Sequence, residues 1–378
     1  MKDASMKRDE FNQLSPDEQV AVLSVVREME RQDIIKNPSL MTKTLEELYD
    51  MSFTPKIPII DGLLCCGTYI FAGSPKIGKS FLMAQIAHHV ATGTPLWDFP
   101  VMEGTALYLA LEDDYSRLQS RFNQMFGVES IKGLHLAVQA QTIDNGLLAQ
   151  MEEFVKLHPD TRLIIVDTLQ KVRQMSSETY SYAMDYQNIT TLKQFSDCHS
   201  LAIIVVHHTR KMEASDSFDM ISGTNGLLGA ADGAFILTKK KRTDPTAVMQ
   251  VVGRDQPDQE LTLRFDQEHL LWLLVKTETV KLDVAVQPIV LKIKEFMDDK
   301  ESWEGTASEL LELIPGLEMK PNVLTRNLNA NSSMLAGKFG IIYQVNPRKT
   351  DKRTFTLSRK NNFKTVTMTE KNDDYRGV

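Results

Sequence analysis

The sequence lacks the features that mark membrane, secreted and zinc-binding proteins. No apolar run approaches the roughly 20 residues of a membrane span, and the polar start Met1–Ser5 does not resemble a signal peptide. The three cysteines, Cys65, Cys66 and Cys198, have neither the paired spacing of a metal site nor the pattern of a disulfide framework. These absences predict a protein of the reducing cytoplasm that makes no contact with a membrane.

An excess of basic residues is also missing from the chain as a whole. There are 43 Lys and Arg against 50 Asp and Glu, which gives a formal net charge of −7 and argues against a wholly basic nucleic-acid binder. The average hides a local difference, because residues 321–378 contain 11 Lys and Arg against 4 Asp and Glu, a net charge of +7. The length of 378 residues is enough for two or three domains.

The clearest signal present is a glycine-rich loop between an apolar β-type run and a helical pattern that is predicted to end near Gly93. It reads G-x-x-x-x-G-K-S and consists of Gly73, Ser74, Pro75, Lys76, Ile77, Gly78, Lys79 and Ser80. In a P-loop the backbone N–H groups and the helix N-terminus surround phosphates, the lysine reaches the β- and γ-phosphates, and the hydroxyl binds Mg²⁺. The alternative is an ordinary glycine turn before a helix. We interpret the loop as a site for ATP and Mg²⁺.

The chain around this loop alternates β-type and helical patterns from about residue 51 to 280, which predicts an α/β domain with a mainly parallel sheet. Further continuous apolar runs, typical of buried parallel strands, end in polar residues. These runs and their end residues are Thr105–Leu111 with Glu112, Leu163–Val166 with Asp167, and Leu201–Val206 with His207 and His208. Carboxyl ends of parallel strands meet at one edge of a sheet, so we expect these side chains to lie near the P-loop.

Each of these end residues has a chemical and a structural interpretation. Glu112 is the candidate base for the attacking water, although an acidic group there also suits the start of a helix. This helix is predicted over Tyr115–Phe126, with Asp114 as its cap and Gly127 at its end. Asp167 has the position of a Walker B carboxylate and is assigned with Ser80 to Mg²⁺, although buried strands often end in a capping Asp. His207 and His208 either sense the γ-phosphate or are ordinary structural histidines.

We also expect a positively charged side chain of a neighbouring subunit to stabilise the charge of the transition state. The candidates are Arg254 and Arg242, and Arg242 belongs to the basic cluster that begins at Lys239. The alternative is that this cluster is a solvated hairpin turn between two predicted strands, Ala234–Leu237 and Ala247–Val252. The polar loop Met212–Gly226 is a hypothetical DNA contact.

Together these motifs resemble the AAA-type, RecA-like hexameric helicase ATPases typified by plasmid RepA replication proteins. The resemblance covers about residues 55–275, and the residues that carry it are Asp61–Leu64, Gly73–Ser80, Leu109–Asp113, Ile164–Thr168, Val205–Lys211, Ser222–Gly223 and Gly229–Asp232. It implies a RecA-like fold, ATP held between subunits of a homo-oligomeric, hexameric ring, and movement along single-stranded DNA. It also implies that Glu112 is the catalytic base and that His207 and His208 lie near the γ-phosphate. The family often has proline where this chain has Cys65 and Cys66.

The ends of the chain are predicted to be separate segments. Residues 1–50 form a helical arm and linker, in which a helix from Ser15 to about Asp33 docks on its own domain or on a neighbouring subunit, and a short helix covers Leu45–Tyr49. Residues 283–360 form a small α+β domain, and residues 361–378 a flexible tail.

The small C-terminal domain resembles a winged helix of the kind found in replication helicases and primases. Its predicted helices and strands are Ile289–Phe296, Trp303–Leu311, Pro321–Leu328 continuing through Ser333–Ala336, Gly340–Val345 and Arg353–Leu357. The basic residues at the predicted wing, which would pair with DNA phosphates, are Arg348, Lys349, Lys352 and Arg353. The alternative is a winged helix that docks on protein.

The sequence therefore favours an ATP-dependent DNA helicase or translocase that serves replication of a plasmid or mobile element, with a primase or replication initiator as possible partner. Two other functions remain open: a DNA-binding initiator or regulator for which ATP is an assembly switch, and a RecA-type recombinase.

Overall fold

A nine-stranded sheet organises most of the described chain. The computed structural model describes residues 40, 42–53, 58–173, 182–208, 226–241, 243–254, 256–279, 286–347 and 353–359. The strands of the large sheet are β1 (Gly67–Gly73), β2 (Thr105–Ala110), β3 (Leu134–Ala137), β4 (Thr161–Asp167), β5 (Ala202–His208), β6 (Gly233–Thr238), β7 (Thr246–Gly253), β8 (Gln256–Asp266) and β9 (Leu271–Thr279). The helices up to residue 279 are α1 (Leu45–Asp50), α2 (Lys79–Thr92), α3 (Tyr115–Phe126), α4 (Leu147–Leu157), α5 (Leu169–Val172), α6 (Tyr182–His199) and α7 (Gly226–Ala230), with a 3₁₀ turn at Ile143–Asn145.

The strand order is β3-β2-β4-β5-β1-β6-β7-β8-β9, and the first six strands are parallel. The parallel strands are apolar on both faces because helices cover both sides. One face packs on α2 through residues such as Leu82 and Met83, and the other packs on α6 through Ile189 and Leu192. The predicted α/β fold with a mainly parallel sheet is confirmed.

The last three strands are antiparallel and curl back over α2. β9 is the edge strand, yet the backbone N–H and C=O of Trp272 both hydrogen-bond to the side chain of Gln85 on α2. The sequence predicted β7 from Ala247–Val252, but it did not predict β8 or β9. The structure therefore adds an antiparallel extension that closes over the helix of the P-loop.

Two of the predicted helices have the predicted ends. α2 stops before Gly93, which takes the left-handed conformation at φ 64°. α3 begins after Asp114, whose carboxylate accepts a hydrogen bond from the backbone N–H of Arg117, and it stops at Gly127. Asp114 is thus the helix cap, which leaves Glu112 outside the helix.

A second, smaller assembly follows residue 285. Its elements are α8 (Pro288–Met297), β10 (Ser302–Thr306), α9 (Ala307–Leu313), α10 (Pro321–Phe339), β11 (Ile341–Val345) and β12 (Thr354–Arg359), with strand order β10-β12-β11. The predicted helix over Trp303–Leu311 is wrong in its first part, because residues 302–306 pair with β12 as a strand and Thr306 caps a helix that starts at Ala307. The helix predicted from Pro321 is a single helix to Phe339. The core of this assembly contains only residues between 286 and 357.

The short predicted helix near residue 45 is α1, and it lies against α10. Arg326 donates to Asp50 at 2.7 Å and to Glu46 at 2.7 Å, and the Asn329 amide donates to the carbonyl of Tyr49 at 2.8 Å. No helix within the described ranges is long and apolar enough to cross a membrane.

Several sequence predictions lie outside the described residues. They are the helix Ser15–Asp33, the loop Met212–Gly226 apart from its last residue, Arg242, the wing residues Arg348, Lys349 and Lys352, and the tail 361–378. The division into domains at residues 50, 280 and 360 stays a prediction.

We expect Leu328→Ala to destabilise the C-terminal assembly alone. Leu328 is 1% exposed in a core that shares no residue with the large sheet, and such truncations cost about 2–5 kcal/mol. Limited proteolysis with increasing temperature should show earlier cleavage after residue 285, while cleavage before residue 279 stays as in the unmodified protein. Val323→Ala on the same helix, where Val323 is 39% exposed, is the control and should cost about 0.5 kcal/mol or less. Simultaneous loss of both segments in Leu328→Ala would contradict separate cores.

Candidate nucleotide-binding site

The loop between β1 and α2 has a backbone that fits a phosphate. Gly78 lies at φ 104° as the residue before α2, and no side chain caps the first turn of that helix, so its N–H groups face outward for an anion. A Cβ atom on Gly73 would lie 2.9 Å from the carbonyl oxygen of Leu237 on β6. Glycine is thus required at both ends of the loop for different reasons: a positive φ at Gly78 and a close strand at Gly73.

Lys79 is buried under the loop and is held by three acceptors. Its Nζ lies 2.8 Å from the Gly73 carbonyl oxygen, 3.1 Å from the Ser74 carbonyl oxygen and 2.9 Å from Nδ1 of His208. An ammonium group only donates hydrogen bonds, so Nδ1 of His208 must accept one. This contact favours the neutral His208 tautomer with its proton on Nε2.

Burial lowers the pKa of Lys79 to about 8, an effect partly opposed by the negative charges of Asp167 and Glu112. The pKa of His208 is also lowered, first by burial and then by the charge of Lys79. Both shifts have the sign expected when a cation leaves water. At neutral pH the site therefore contains a charged Lys79 beside a neutral His208.

Asp167 at the end of β4 accepts two hydroxyl hydrogen bonds. The Ser80 hydroxyl donates to Oδ2 at 2.7 Å, and the Tyr108 hydroxyl donates to the same oxygen at 2.9 Å. Asp167 is 4% exposed, and its pKa is raised by burial against the lowering effect of these two donors. The predicted pair of Ser80 and Asp167 is thus in direct contact.

The oxygen atoms of this pair suit Mg²⁺, which prefers hard oxygen ligands. Across the described ranges, no group of three or more His, Cys, Asp or Glu residues would hold a metal by itself. This agrees with the usual arrangement for Mg²⁺ in nucleotide sites, where one or two protein oxygens act together with phosphates and water. Ser80 would be the direct ligand and Asp167 its carboxylate partner.

Glu112 lies just past the end of β2, close to Thr168 and His208. Its Oε1 accepts a hydrogen bond from the Thr168 hydroxyl at 3.2 Å, and its Oε2 lies 4.0 Å from Nε2 of His208. Because the protonated nitrogen of His208 is Nε2, a small rotation would make it a donor to Glu112. Lys79, His208 and Glu112 thus lie near one another at this edge of the sheet, with a hydrogen bond between the first two and 4.0 Å between the last two.

The two predicted histidines have different environments. His208 is the residue that contacts Lys79 and approaches Glu112. His207 pairs with Ala72 in the sheet and is buried, and successive residues of a strand point to opposite faces. The geometry brings His208 to Lys79, and a role of His207 at the phosphate stays a prediction.

Arg254 lies far from the P-loop of the same chain. It follows β7, where Gly253 pairs with Gly233 at the start of β6, whereas Gly73 pairs with Leu237 near the end of β6. The four residues between these positions correspond to about 13 Å along the strand. The exposed Arg254 donates to the Gly229 carbonyl at 3.1 Å. Any catalytic action of Arg254 would have to be on another subunit.

The sequence interpretation did not include three side chains that contact the site. Tyr108 donates to Asp167, Thr168 donates to Glu112, and the indole of Trp272 donates to the Gly78 carbonyl. A tyrosine inside an apolar strand signals a hydroxyl that needs a partner, so Tyr108 was detectable in principle. Trp272 carried no such signal, because its contact depends on the curl of the sheet.

Comparisons with known proteins agree with this geometry. A family profile described as an AAA domain matches residues 36–214, slightly less than half of the chain, and this segment contains the P-loop, Glu112, Asp167 and His208. None of the curated protein sequences is similar enough to count as a match.

Solved structures give a similar result for the fold. The chain is similar to a DnaB-like replicative helicase, in a structure that describes its interactions with primase, with a TM-score of 0.50 and 12% identity over 69% of this chain and 74% of that one. A separately solved ATPase domain has a TM-score of 0.48 and 14% identity over 69% of this chain and 99% of that one. A KaiC-like protein of Pyrococcus horikoshii OT3 has a TM-score of 0.43 and 11% identity over 60% of this chain and 99% of that one. The large sheet with its loop is a RecA-like P-loop fold.

The pKa of Lys79 predicts that nucleotide affinity falls as pH rises above about 8. Phosphate favours the ammonium form, so binding above that pH must take up a proton, and the Kd for ADP should rise by up to about tenfold per pH unit. Calorimetric titration between about pH 7.5 and 9.5 measures this, in a range where phosphate monoesters, with a second pKa near 6, no longer titrate. The guanidinium of Lys79→Arg does not titrate here, so its weaker binding should not vary with pH. A flat profile for the unmodified protein would contradict the buried, titrating ammonium.

Proposed function

We propose that this protein is an ATP-hydrolysing DNA helicase or translocase that acts as a homo-oligomeric ring in replication of a plasmid or mobile element. The observation that carries the proposal is the convergence of Lys79, Ser80, Asp167 and Glu112 at one edge of the RecA-like sheet. A phosphate-binding lysine, a magnesium pair and a carboxylate able to activate water are the parts that nucleotide hydrolysis requires.

In this proposal the residues act on ATP as follows. The N–H groups of the loop and the ammonium of Lys79 bind the β- and γ-phosphates, and Ser80 with Asp167 holds Mg²⁺, which neutralises charge that develops on the phosphate oxygens. Glu112 orients a water molecule and accepts its proton. The hydroxyl of Thr168 holds one carboxylate oxygen of Glu112 at 3.2 Å and leaves the other for the water.

In this proposal His208 detects whether the γ-phosphate is bound. Its Nδ1 accepts from Lys79 at 2.9 Å in the present structure. When a phosphate oxygen accepts the hydrogen bond from Lys79, Nδ1 of His208 loses its donor. The imidazole is then able to rotate toward the γ-phosphate or Glu112. This supports the assignment of His208 as the γ-phosphate sensor.

The ring is supported by the position of Arg254. A residue that acts on a neighbouring subunit must lie away from the P-loop of its own chain. Arg254 does so, because it lies at the opposite edge of the sheet from the P-loop. Arg242 remains the second candidate. The fold of the DnaB-like helicase, a protein described with primase, adds support for a replication role and for a primase or initiator as partner.

Contact with DNA is supported by the C-terminal assembly. Its order of helix, strand, two helices and two strands supports the winged helix expected from the sequence, and residues 321–378 have a net charge of +7. We infer a winged helix of the kind found in replication helicases and primases, with single-stranded DNA as the partner of the ring and DNA phosphates as the ligands of the basic residues.

The direct test is the ATPase rate of Glu112→Gln. Loss of the base should lower kcat by about 10²–10⁴-fold, while the Kd for ATP stays within about threefold, because Glu112 does not contact the phosphates in this proposal. Asp114→Asn is the matched control: it changes a carboxylate two residues away, and asparagine is an equally good helix cap. Its kcat should be unchanged.

Robust turnover by Glu112→Gln would overturn the assignment of the base. Stimulation by single-stranded DNA with strand displacement supports the helicase, whereas hydrolysis without displacement favours an initiator or regulator. Closed rings in negative-stain images support the proposed assembly, and filaments with strand exchange would favour a recombinase.

A further inference from the structure

We propose that Trp272, on the antiparallel edge strand β9, is a positioning residue that orients the P-loop for phosphate binding. This inference rests on the proposed nucleotide site and adds a part of the molecule that is distant from it in sequence. Among the described strands, β9 is the fourth strand from β1 in the sheet. The strand reaches the loop only because β7, β8 and β9 curl over α2.

The indole contacts the residue before Lys79. Its Nε1–H donates to the Gly78 carbonyl oxygen at 3.1 Å. The six-membered ring packs so closely that a Cβ atom on Gly78 would lie 3.0 Å from Cζ2. The side chain of Trp272 is completely buried. Glycine at position 78 is therefore needed for the indole as well as for the positive φ.

The hydrogen bond from Trp272 to the Gly78 carbonyl also orients the backbone N–H of Lys79. The peptide unit between Gly78 and Lys79 is planar, and in the trans form its C=O and N–H point in opposite directions. An indole that holds the Gly78 carbonyl toward β9 therefore aims the Lys79 N–H to the other side, where the loop surrounds the phosphates. Among the described residues, the partner left to this carbonyl without the indole is the N–H of Leu82, at 3.3 Å.

Trp272 is itself held rigidly, as a positioning residue must be. Its backbone N–H donates to Oε1 of Gln85 at 2.9 Å, and its carbonyl accepts from Nε2 of Gln85 at 3.1 Å. The same carbonyl accepts from the indole of Trp97 at 2.6 Å. The ring of Trp272 also lies 5.1 Å from that of Phe265 and 5.3 Å from Nζ of Lys239.

The test compares two tryptophan variants by the Kd for ADP and by ATPase kinetics. Trp272→Phe keeps an aromatic ring and removes the donor to Gly78, so ADP affinity and the KM for ATP should each worsen about fivefold to tenfold, as for one lost hydrogen bond. At saturating ATP, kcat should stay within about twofold, because the loop binds phosphates in ground and transition states alike.

Trp97→Phe is the matched control, since it removes an indole donor to the backbone carbonyl of Trp272 and not a donor to Gly78. It should lower thermal stability about as much as Trp272→Phe and leave ADP affinity unchanged. Equal affinities for the two variants would overturn the role of Trp272. Failure of the unmodified protein to bind ADP would instead overturn the proposed nucleotide site.

A second measurement covers the case in which Trp272→Phe does not fold. The protein contains three tryptophans, so the double variant Trp97→Phe/Trp303→Phe leaves Trp272 as the only one. Its fluorescence should change on saturation with ADP, because a charged phosphate would then lie on the far side of the peptide unit to which the indole donates. Unchanged emission at saturating ADP would contradict the proposal.

Discussion

The interaction on which the candidate site depends is the buried ammonium of Lys79 with its three acceptors. A buried cation is costly unless hydrogen bonds replace the water it loses. Here the carbonyls of Gly73 and Ser74 and Nδ1 of His208 provide this replacement, and they come from the end of β1, from the loop and from the end of β5. One side chain thus ties the loop to the strand that carries the predicted sensor. A phosphate group, as a stronger acceptor, is able to compete for the same ammonium.

The second constraint is the sharing of Asp167 between Ser80 and Tyr108. Both hydroxyls donate to the same carboxylate oxygen, so the start of α2 and the middle of β2 are aligned with the end of β4. Burial raises the pKa of Asp167 while these donors lower it. A divalent cation beside Ser80 would add a positive charge that favours the ionised form. The site is thus arranged so that the cation strengthens the contacts already present.

Much of this arrangement was predictable from local sequence. The continuous apolar runs that end at Glu112, Asp167 and His208 defined the buried strands and the edge at which they meet. The cap at Asp114 and the stop at Gly127 defined α3 to the residue. These predictions succeeded because burial on both faces and helix capping are local signals.

The failures have a common physical cause, which is pairing over long sequence distance. The segment Ser302–Thr306 is a strand because it pairs with β12 about fifty residues later, and nothing within the segment itself demands that conformation. The contact of Trp272 with Gly78 joins residues 194 positions apart. Only the accumulated twist of the sheet brings them together. The difference between His207 and His208 also needed the structure, because the strand pattern places both at the edge.

The central claim is that the ammonium of Lys79 donates to Gly73, Ser74 and His208 in the absence of ATP and to phosphate oxygens when ATP is bound. The most direct measurement is a structure of the protein with Mg²⁺ and a non-hydrolysable ATP analogue. The account predicts Nζ of Lys79 on a phosphate oxygen and no longer on Nδ1 of His208, with the Ser80 hydroxyl bound to Mg²⁺ at about 2.0–2.1 Å. An analogue bound elsewhere, with Lys79 still hydrogen-bonded to His208 and the loop carbonyls, would contradict it.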